Sequence, residues 1–246
     1  MPISPNFNSI FSSDFEINFT QCMPNGFLKL PELCNIFQLT AAGHSKMGGI
    51  SFTDMQEFNQ AWVLSRMRVE ISELPKWRDI VTVKTWINTL ENSRSVRAME
   101  MYCNGKKIIG SETFWVVFNT EIRRPEALAL PFEHFELYPE KKATLQPFSR
   151  INLNHDKKLV HEKSIFLSDL DNVNHVNHVK YLEWCLDFVD KKLILNQNIE
   201  SFEMNFLKEL SYHDSVKIHK NSDDDYLVFT VTKEENSCFA LQLNIK

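Results

Sequence analysis

The residues best suited to chemistry form one dense polar run, SDLDNVNHVNHVKY, at residues 168–181. The run enters a predicted helix, whose first turn leaves backbone N–H groups free to stabilise developing negative charge. Asp171 and His175 can lie on one side of this loop, where the carboxylate would orient or charge the imidazole. A simpler interpretation is an extended loop in which Asn174 or Asn177 caps the helix. Ten polar side chains exceed what capping needs, so the run favours a reaction centre.

Metal binding is a second interpretation of the same run. His175 and His178 are separated by two residues and follow Asp169 and Asp171, as the ligands of some hydrolases do. An H-x-x-H spacing often arises by chance, and the chain has no H-E-x-x-H motif. It also has no G-x-S-x-G, G-x-G-x-x-G or Walker motif, which disfavours serine-hydrolase and nucleotide-dependent chemistry. We therefore expect no metal and no cofactor.

Helices and strands must position these side chains, and their patterns occur in two groups. Apolar residues at helical spacing predict one helix from Pro31 to about Lys46 and another from about Asn177 to Leu193. Strand-like runs predict an antiparallel meander after each helix. The first meander comprises 80–88, 95–103 and 107–119, with an Asn104-Gly105 hairpin turn, and the second comprises 215–219, 226–232 and 238–244.

The order of these elements suggests an internal duplication. A turn with an aspartate, Asp79 or Asp214, leads into the first strand of each meander. Between the two copies, four prolines within residues 123–150 block a long helix or a central strand, which predicts a linker. We expect an α+β protein with domains at 1–122 and 151–246, joined by the linker 123–150.

The composition is that of a globular protein, with 246 residues of which 43% are hydrophobic and 24% charged. A net charge of −5 gives no general attraction to nucleic acid or anionic lipid. No apolar run approaches the roughly 20 residues of a membrane span. Five dispersed cysteines without a C-x-x-C pair predict neither a disulfide framework nor a zinc site. The first basic residue is Lys29, so no targeting signal is predicted, and we expect a soluble cytoplasmic protein.

Two separated sets of motifs resemble the acyl-acyl carrier protein thioesterases of the plant and bacterial type. In the second half these are SDLD at 168–171, HVN at 175–177 and VKYLEW at 179–184. In the first half they are QAWVLSRM at 60–67 and FWVVF at 114–118, followed by Arg123-Arg124. The resemblance spans residues 14–245. It implies two tandem hot-dog domains, each a long helix wrapped by a curled antiparallel sheet, and hydrolysis of a fatty acyl thioester carried by acyl carrier protein.

The resemblance also implies which residues are catalytic. The family pattern is Asp-x-Asn-x-His with a glutamate on a downstream strand. Asp171 and His175 match the Asp and the His, and Glu209 is the best match for the glutamate. Val173 stands at the Asn position and is flanked by Asn172 and Asn174, so we assign that role to Asn174, with Asn172 as the alternative.

Water is the expected nucleophile. Leu210 stands where plant members have a cysteine after the glutamate, so a cysteine cannot attack from that position. A thiol with a pKa of about 8.5 leaves without protonation, which makes a thioester easier to cleave than an amide. We expect Glu209 or His175 to activate water and Asp171 to orient the site. Backbone N–H groups near Asn177 and His178 are expected to hold the oxyanion.

The resemblance implies an acyl pocket and a partner. In the family the first domain mainly sets acyl-chain length, so we assign Phe37, Phe58 and Trp62 to the pocket, with plain core packing as the alternative. The expected partner is an acidic acyl carrier protein, docked on local basic residues despite the net charge. The protein is expected to be a monomer or a homodimer. The basic candidates are Arg94, Arg97, Lys106, Lys107, Arg123 and Arg124.

Three alternatives compete with this interpretation. Coenzyme A carries the same phosphopantetheine arm and could replace acyl carrier protein as the donor. A non-catalytic acyl-thioester-binding protein is made more plausible by Val173. A metal-dependent hydrolase is the third alternative.

Overall fold

The computed structural model describes residues 3–154, 158–223 and 225–246. Its helices are α1 (Leu30–Met47), α2 (Phe52–Gln56), α3 (His178–Leu186) and α4 (Lys191–Leu195). Its strands are β1 (Ile10–Glu16), β2 (Gln60–Ile71), β3 (Ile80–Glu91), β4 (Arg94–Cys103), β5 (Lys106–Asn119), β6 (Arg124–Pro125), β7 (Lys158–Ser164), β8 (Ile199–Phe206), β9 (Ser215–Ser222), β10 (Tyr226–Lys233) and β11 (Asn236–Ile245). Short 3-10 turns, Phe19–Gln21 and Leu167–Asp169, precede α1 and α3.

The strands form one antiparallel sheet in the order β1-β3-β4-β5-β2-β8-β11-β10-β9-β7, with β6 paired to β5. Each half therefore contributes five strands in the same order, read inward from its own outer edge. The halves join where β2 pairs with β8, in a register that places Arg66 opposite Asn205 and Glu70 opposite Ser201. This arrangement confirms the predicted duplication of an α+β unit.

Helix α1 follows the sequence pattern closely. Pro31 lies in its first turn, where a proline needs no hydrogen-bond partner for its missing N–H, and Gly48 forms its C-cap. The apolar stripe of α1 is buried, and Phe37 is fully inaccessible to solvent. Phe37 packs in one core cluster with Leu182 of α3, so the helices of both halves share a single hydrophobic core.

The second helix is shorter than predicted. We expected one helix from about Asn177 to Leu193, but α3 ends at Leu186 and α4 begins at Lys191. Asp190 caps α4, because its side chain accepts a hydrogen bond of 2.8 Å from the backbone N–H of Lys192. A short polar side chain that bonds the backbone two residues on offers an alternative to continued helix, and this interrupts the apolar stripe.

The six predicted strands are confirmed, but β1, β2, β6, β7 and β8 were not predicted. Charged side chains interrupt the apolar pattern of β2, and one of them, Arg68, forms ion pairs within β2 and across the seam between the halves. Arg68 lies 3.0 Å from Glu70 in its own strand and 3.9 Å from Glu203 in β8. The charges that obscured the strand pattern of β2 in the sequence therefore include an ion pair at its junction with β8.

The proline-rich segment 123–150 packs on the sheet of the first half. The indole N–H of Trp86 donates to the Lys141 carbonyl at 2.9 Å, and the Asn88 amide donates to the Tyr138 carbonyl at 2.7 Å. Leu128, Phe135 and Ala143 of this segment are buried. The segment lacks long regular elements, as predicted, yet it completes the hydrophobic packing of the first half.

Replacing Gly110 with alanine is expected to destabilise the protein by about 1–3 kcal/mol, because the added methyl group would overpack the site. A Cβ atom at Gly110 would lie 1.9 Å from the Ala143 carbonyl oxygen, so segment 123–150 would have to move. Gly43→Ala is the matched control, because its Cβ would meet only the Phe11 ring at 3.3 Å within a helix. Urea unfolding of both variants measures the difference, and equal stabilities would contradict this account of the packing.

Candidate active site

His175 lies at the end of a tight turn between the 3-10 turn Leu167–Asp169 and α3. The backbone N–H of Asp171 donates to the His175 carbonyl at 2.9 Å, and that of Asn174 donates to the Asp171 carbonyl at 3.1 Å. Asn174 has a positive φ of 63°, a conformation that asparagine tolerates better than most residues. Local hydrogen bonds therefore stabilise the turn, and the turn fixes the backbone position from which the His175 side chain extends.

The side chain of Asp171 bonds the backbone of this loop. Its Oδ1 accepts a hydrogen bond of 3.0 Å from the N–H of Val173. The Asp171 carboxylate therefore stabilises the turn that carries His175, and its role in orienting the imidazole stays a prediction. Within the described part of the chain, the Asn174 side chain has no hydrogen bond and is exposed, so its assignment to the family's Asn role stays a prediction.

The structure brings His175 and Glu209 together. The imidazole Nε2 lies 3.5 Å from Glu209 Oε2, and each side chain is about one third exposed, at 33% and 34%. A backbone hydrogen bond of 3.0 Å from Val176 N to the Leu210 carbonyl holds the two segments side by side. A separation of 3.5 Å is longer than a good hydrogen bond, but catalytic pairs often tighten only when substrate binds. The pair is reachable from solvent and so from a substrate.

Asn177 is the N-cap of α3. Its Oδ1 accepts from Val179 N at 3.1 Å, and its own backbone N–H donates to the Asp169 carbonyl at 2.9 Å. The Asn177 N–H is therefore already used and cannot hold an oxyanion, which corrects that part of the prediction. Among the described residues the backbone N–H of His178 has no partner, so it remains the available donor at this helix terminus.

The His178 side chain has a different environment from His175. Burial lowers the pKa of His178 to about 4, so its imidazole is neutral near pH 7. Its ring centroid lies 6.4 Å from that of Phe206 in an edge-to-face arrangement. The His178 imidazole is therefore suited to packing near the site as an uncharged group.

Asp169 has a structural role that the sequence did not reveal. It is buried, and its carboxylate accepts hydrogen bonds from Lys163 Nζ at 3.1 Å, Trp184 Nε1 at 3.3 Å and Phe166 N at 2.9 Å. These contacts join β7, the 3-10 turn and α3. Asp169 therefore fixes the approach of the chain to the His175 turn.

None of the five cysteines has the lowered thiol pKa of an activated nucleophile. Burial raises the pKa of each of the five thiols, so each is protonated near neutral pH. Leu210, next to Glu209, is fully buried and packs in the main core. Within the described residues, no group of three or more His, Cys, Asp or Glu side chains is arranged to hold a metal ion.

The first half repeats this backbone arrangement with inert side chains. Met23 N donates to the Phe27 carbonyl at 2.8 Å, as Asp171 N does to the His175 carbonyl at 2.9 Å. Leu28 N then donates to the Pro75 carbonyl at 2.9 Å, as Val176 N does to that of Leu210. Phe27 and Leu74 consequently occupy the positions equivalent to His175 and Glu209. Of these two equivalent arrangements, the one in the second half carries ionisable side chains at both positions.

The three residues assigned to the acyl pocket lie in different environments. Phe37 is fully buried in the shared core, and Trp62 packs on a separate cluster around Ile50 and Val117. Phe58 is 44% exposed. The structure does not bring the three side chains into one channel, and their role in binding an acyl chain stays a prediction.

One predicted docking residue is corrected by the structure. Arg97 is buried, and its Nη1 donates to His44 Nδ1 at 2.8 Å and to Thr85 Oγ1 at 3.2 Å. His44 Nε2 donates in turn to the Asn8 carbonyl at 3.0 Å. Arg97 is therefore a core residue and cannot contact a protein partner. Arg123 and Arg124 are exposed.

His44 should make the protein sensitive to acid. Burial and the Arg97 charge lower the pKa of His44 to about 3, below the ordinary 6.5 of an unfolded chain. The unfolded state then binds the extra proton as the pH falls below 6.5, so stability is lost there, by about 2–3 kcal/mol at pH 4.5. Replacement of His44 with glutamine is expected to reduce proton uptake on unfolding at pH 4.5 by about one. Urea unfolding at pH 7 and 4.5 measures this, with His161→Gln at an exposed position as control.

A helix packed on an antiparallel sheet, present twice in one chain, is the arrangement of a tandem hot-dog protein. The fold is similar to that of an acyl-ACP thioesterase from Bacteroides thetaiotaomicron, with a TM-score of 0.88 and 23% identity over 97% of this chain and 98% of that chain. It is also similar to a 12:0-ACP thioesterase from Umbellularia californica, with a TM-score of 0.82 and 19% identity over 97% of this chain and 98% of that chain. These similarities confirm the tandem hot-dog fold.

Family models for the acyl-ACP thioesterase N-terminal and C-terminal domains match residues 8–133 and 149–246. The chain therefore belongs to the acyl-ACP thioesterase family. A palmitoyl-acyl carrier protein thioesterase of Arabidopsis thaliana is 27% identical over 216 residues, which are 81% of this chain and 52% of the relative. An oleoyl-acyl carrier protein thioesterase of Coriandrum sativum is 25% identical over 203 residues, 75% of this chain and 55% of the relative. The chain thus spans about half the length of the curated relatives it matches.

Proposed function

We propose that this protein hydrolyses the thioester between a fatty acyl chain and acyl carrier protein and so releases free fatty acid. The observation that carries the proposal is the 3.5 Å approach of His175 Nε2 to Glu209 Oε2 in the second half of a chain of this family. The corresponding positions of the first half hold Phe27 and Leu74, so the chemistry is assigned to one site.

The reaction follows from this geometry. Glu209 and His175 together take a proton from a water molecule whose oxygen attacks the thioester carbonyl carbon. The free N–H of His178 stabilises the resulting oxyanion at the N-terminus of α3. Collapse of the intermediate breaks the C–S bond, and the pantetheine thiolate leaves and recovers the proton from the catalytic pair. Asp171, with Asn174 in the same turn, keeps the imidazole in place.

Acyl carrier protein is the proposed donor because the family and its curated relatives act on it by name. Arg124 is exposed at the start of β6, next to Arg123, which contacts Glu209, and the charge of Arg124 suits an acidic partner. We expect kcat/KM for acyl-acyl carrier protein to exceed that for acyl-coenzyme A by about tenfold or more, since only the carrier offers a protein surface. Measurement of thiol release from both donors over a ladder of acyl chains tests this. Equal values would indicate coenzyme A as an equivalent donor, and tight binding without thiol release would indicate a non-catalytic binder.

We propose a cytoplasmic location and a monomer as the active unit. All five cysteines are free, as suits a reducing compartment. The β2–β8 pairing joins two hot-dog units within one chain, so a second chain is not required to assemble the site. In the described part of the chain no helix is long and apolar enough to cross a membrane. Cell fractionation and light scattering measure these two properties.

A further inference from the structure

A basic residue from outside the catalytic half reaches the candidate active site. Arg123 follows β5 of the first half, yet its guanidinium Nη2 contacts Glu209 Oε2. The same carboxylate oxygen is the one that lies 3.5 Å from His175 Nε2. The Arg123 side chain is 50% exposed and that of Glu209 is 34% exposed. One oxygen of Glu209 is therefore placed between an imidazole and a guanidinium.

The turn that carries Arg123 is fixed by its own hydrogen bonds. Asn119 Oδ1 accepts from the N–H groups of Glu121 and Ile122, both at 3.0 Å, and the Arg123 N–H donates to the Asn119 carbonyl at 3.0 Å. Arg123 has a φ of 56°, a conformation that costs a non-glycine residue about 1 kcal/mol or more. Its guanidinium carbon lies 5.3 Å from the centre of the Phe118 ring. Backbone and aromatic contacts thus hold the guanidinium at the site.

Stability alone does not account for this arrangement. An ion pair exposed to this extent contributes at most about 1 kcal/mol, which is no more than the strained turn costs. A guanidinium in contact with a carboxylate does, however, fix the position of the carboxylate, and a general base must be held within reach of the water whose proton it takes.

We propose that Arg123 is a positioning residue for the reaction, holding the Glu209 carboxylate beside His175. This inference rests on the proposed hydrolysis and extends it, because it makes the site a joint product of both halves. The first half then contributes the Arg123 guanidinium to the active site of the second half, in addition to the surface on which the second half packs.

Arg123→Ala is expected to lower kcat for acyl-acyl carrier protein by about 10–100-fold, as loss of a positioning contact does, with KM within about threefold of wild type. Arg123→Lys should recover part of the loss, and added guanidinium chloride at non-denaturing concentration should rescue Arg123→Ala. Arg78→Ala is the matched control, because Arg78 is also exposed, has a φ of 73° and lies over an aromatic ring at 4.5 Å. Its kcat should stay within about twofold of wild type, since Arg78 lies outside the site.

A double-mutant cycle separates positioning from other roles. In a Glu209→Gln background, Arg123→Ala should change kcat by less than about twofold, because the carboxylate it acts on is gone. An Arg123 that only docks the carrier would raise KM and leave kcat unchanged, and one that only anchors the two halves would lower unfolding stability without guanidinium rescue. Either result overturns this inference while leaving the proposed hydrolysis intact. A wild-type protein that releases no thiol overturns both.

Discussion

Replacement of His175 with alanine is expected to lower kcat/KM for acyl-acyl carrier protein by about 10²–10⁴-fold, the usual contribution of an acid–base group. The imidazole Nε2 of His175 lies 3.5 Å from Glu209 Oε2, and the side chain is exposed enough for a substrate to reach it. Its loss removes one of the two groups that handle the proton of the attacking water. Thiol release under substrate-limiting conditions measures the change.

The matched control for this variant is His161→Ala, an exposed histidine on β7 of the same half. It should keep wild-type kcat/KM and wild-type unfolding stability. Activity of His175→Ala within about threefold of wild type would be far above the effect of losing an acid–base group and would remove His175 from the mechanism.

Glu209→Gln should have an effect of similar size, about 10²–10⁴-fold in kcat/KM, because the amide keeps the shape of the side chain but cannot take a proton. It also places an uncharged group against Arg123, which contacts the carboxylate in the native protein. Unfolding stability should change little, since the side chain is 34% exposed. Kinetic assays with the same acyl-acyl carrier protein measure the loss.

Glu200→Gln provides the control, since Glu200 is an exposed glutamate on β8 of the catalytic half. The double variant His175→Ala with Glu209→Gln should lose about as much activity as the more impaired of the two single variants, because the effects of groups that act as a unit are not additive. Losses that multiply in the double variant would indicate that the two side chains act in separate steps.

Local patterns in the sequence predicted the elements that local interactions determine. The stripe of α1, the Asn104-Gly105 hairpin and the aspartate turns at Asp79 and Asp214 depend on neighbouring residues. In both turns the aspartate accepts from a backbone N–H three residues earlier, Lys76 at 2.7 Å and Ser211 at 2.9 Å. Such features can be predicted from the sequence because the interacting residues are close in the chain.

Features that depend on distant partners were not predictable in the same way. Buried Arg97 is hydrogen-bonded to His44 of α1, and β2 pairs with β5 and β8, both distant in the chain. The contact between Arg123 and Glu209 joins two halves of the chain, so no local pattern indicates it. The sequence motifs located His175, and the fold was needed to show which cation faces its carboxylate partner.

The most direct test of the central claim is the stoichiometry of products from acyl-acyl carrier protein incubated with the wild-type protein. We expect one free thiol and one free fatty acid for each acyl-carrier molecule consumed, and release at least about 100-fold slower with the double variant of His175 and Glu209. Release by the double variant at the wild-type rate, or binding by the wild-type protein without release, would contradict it.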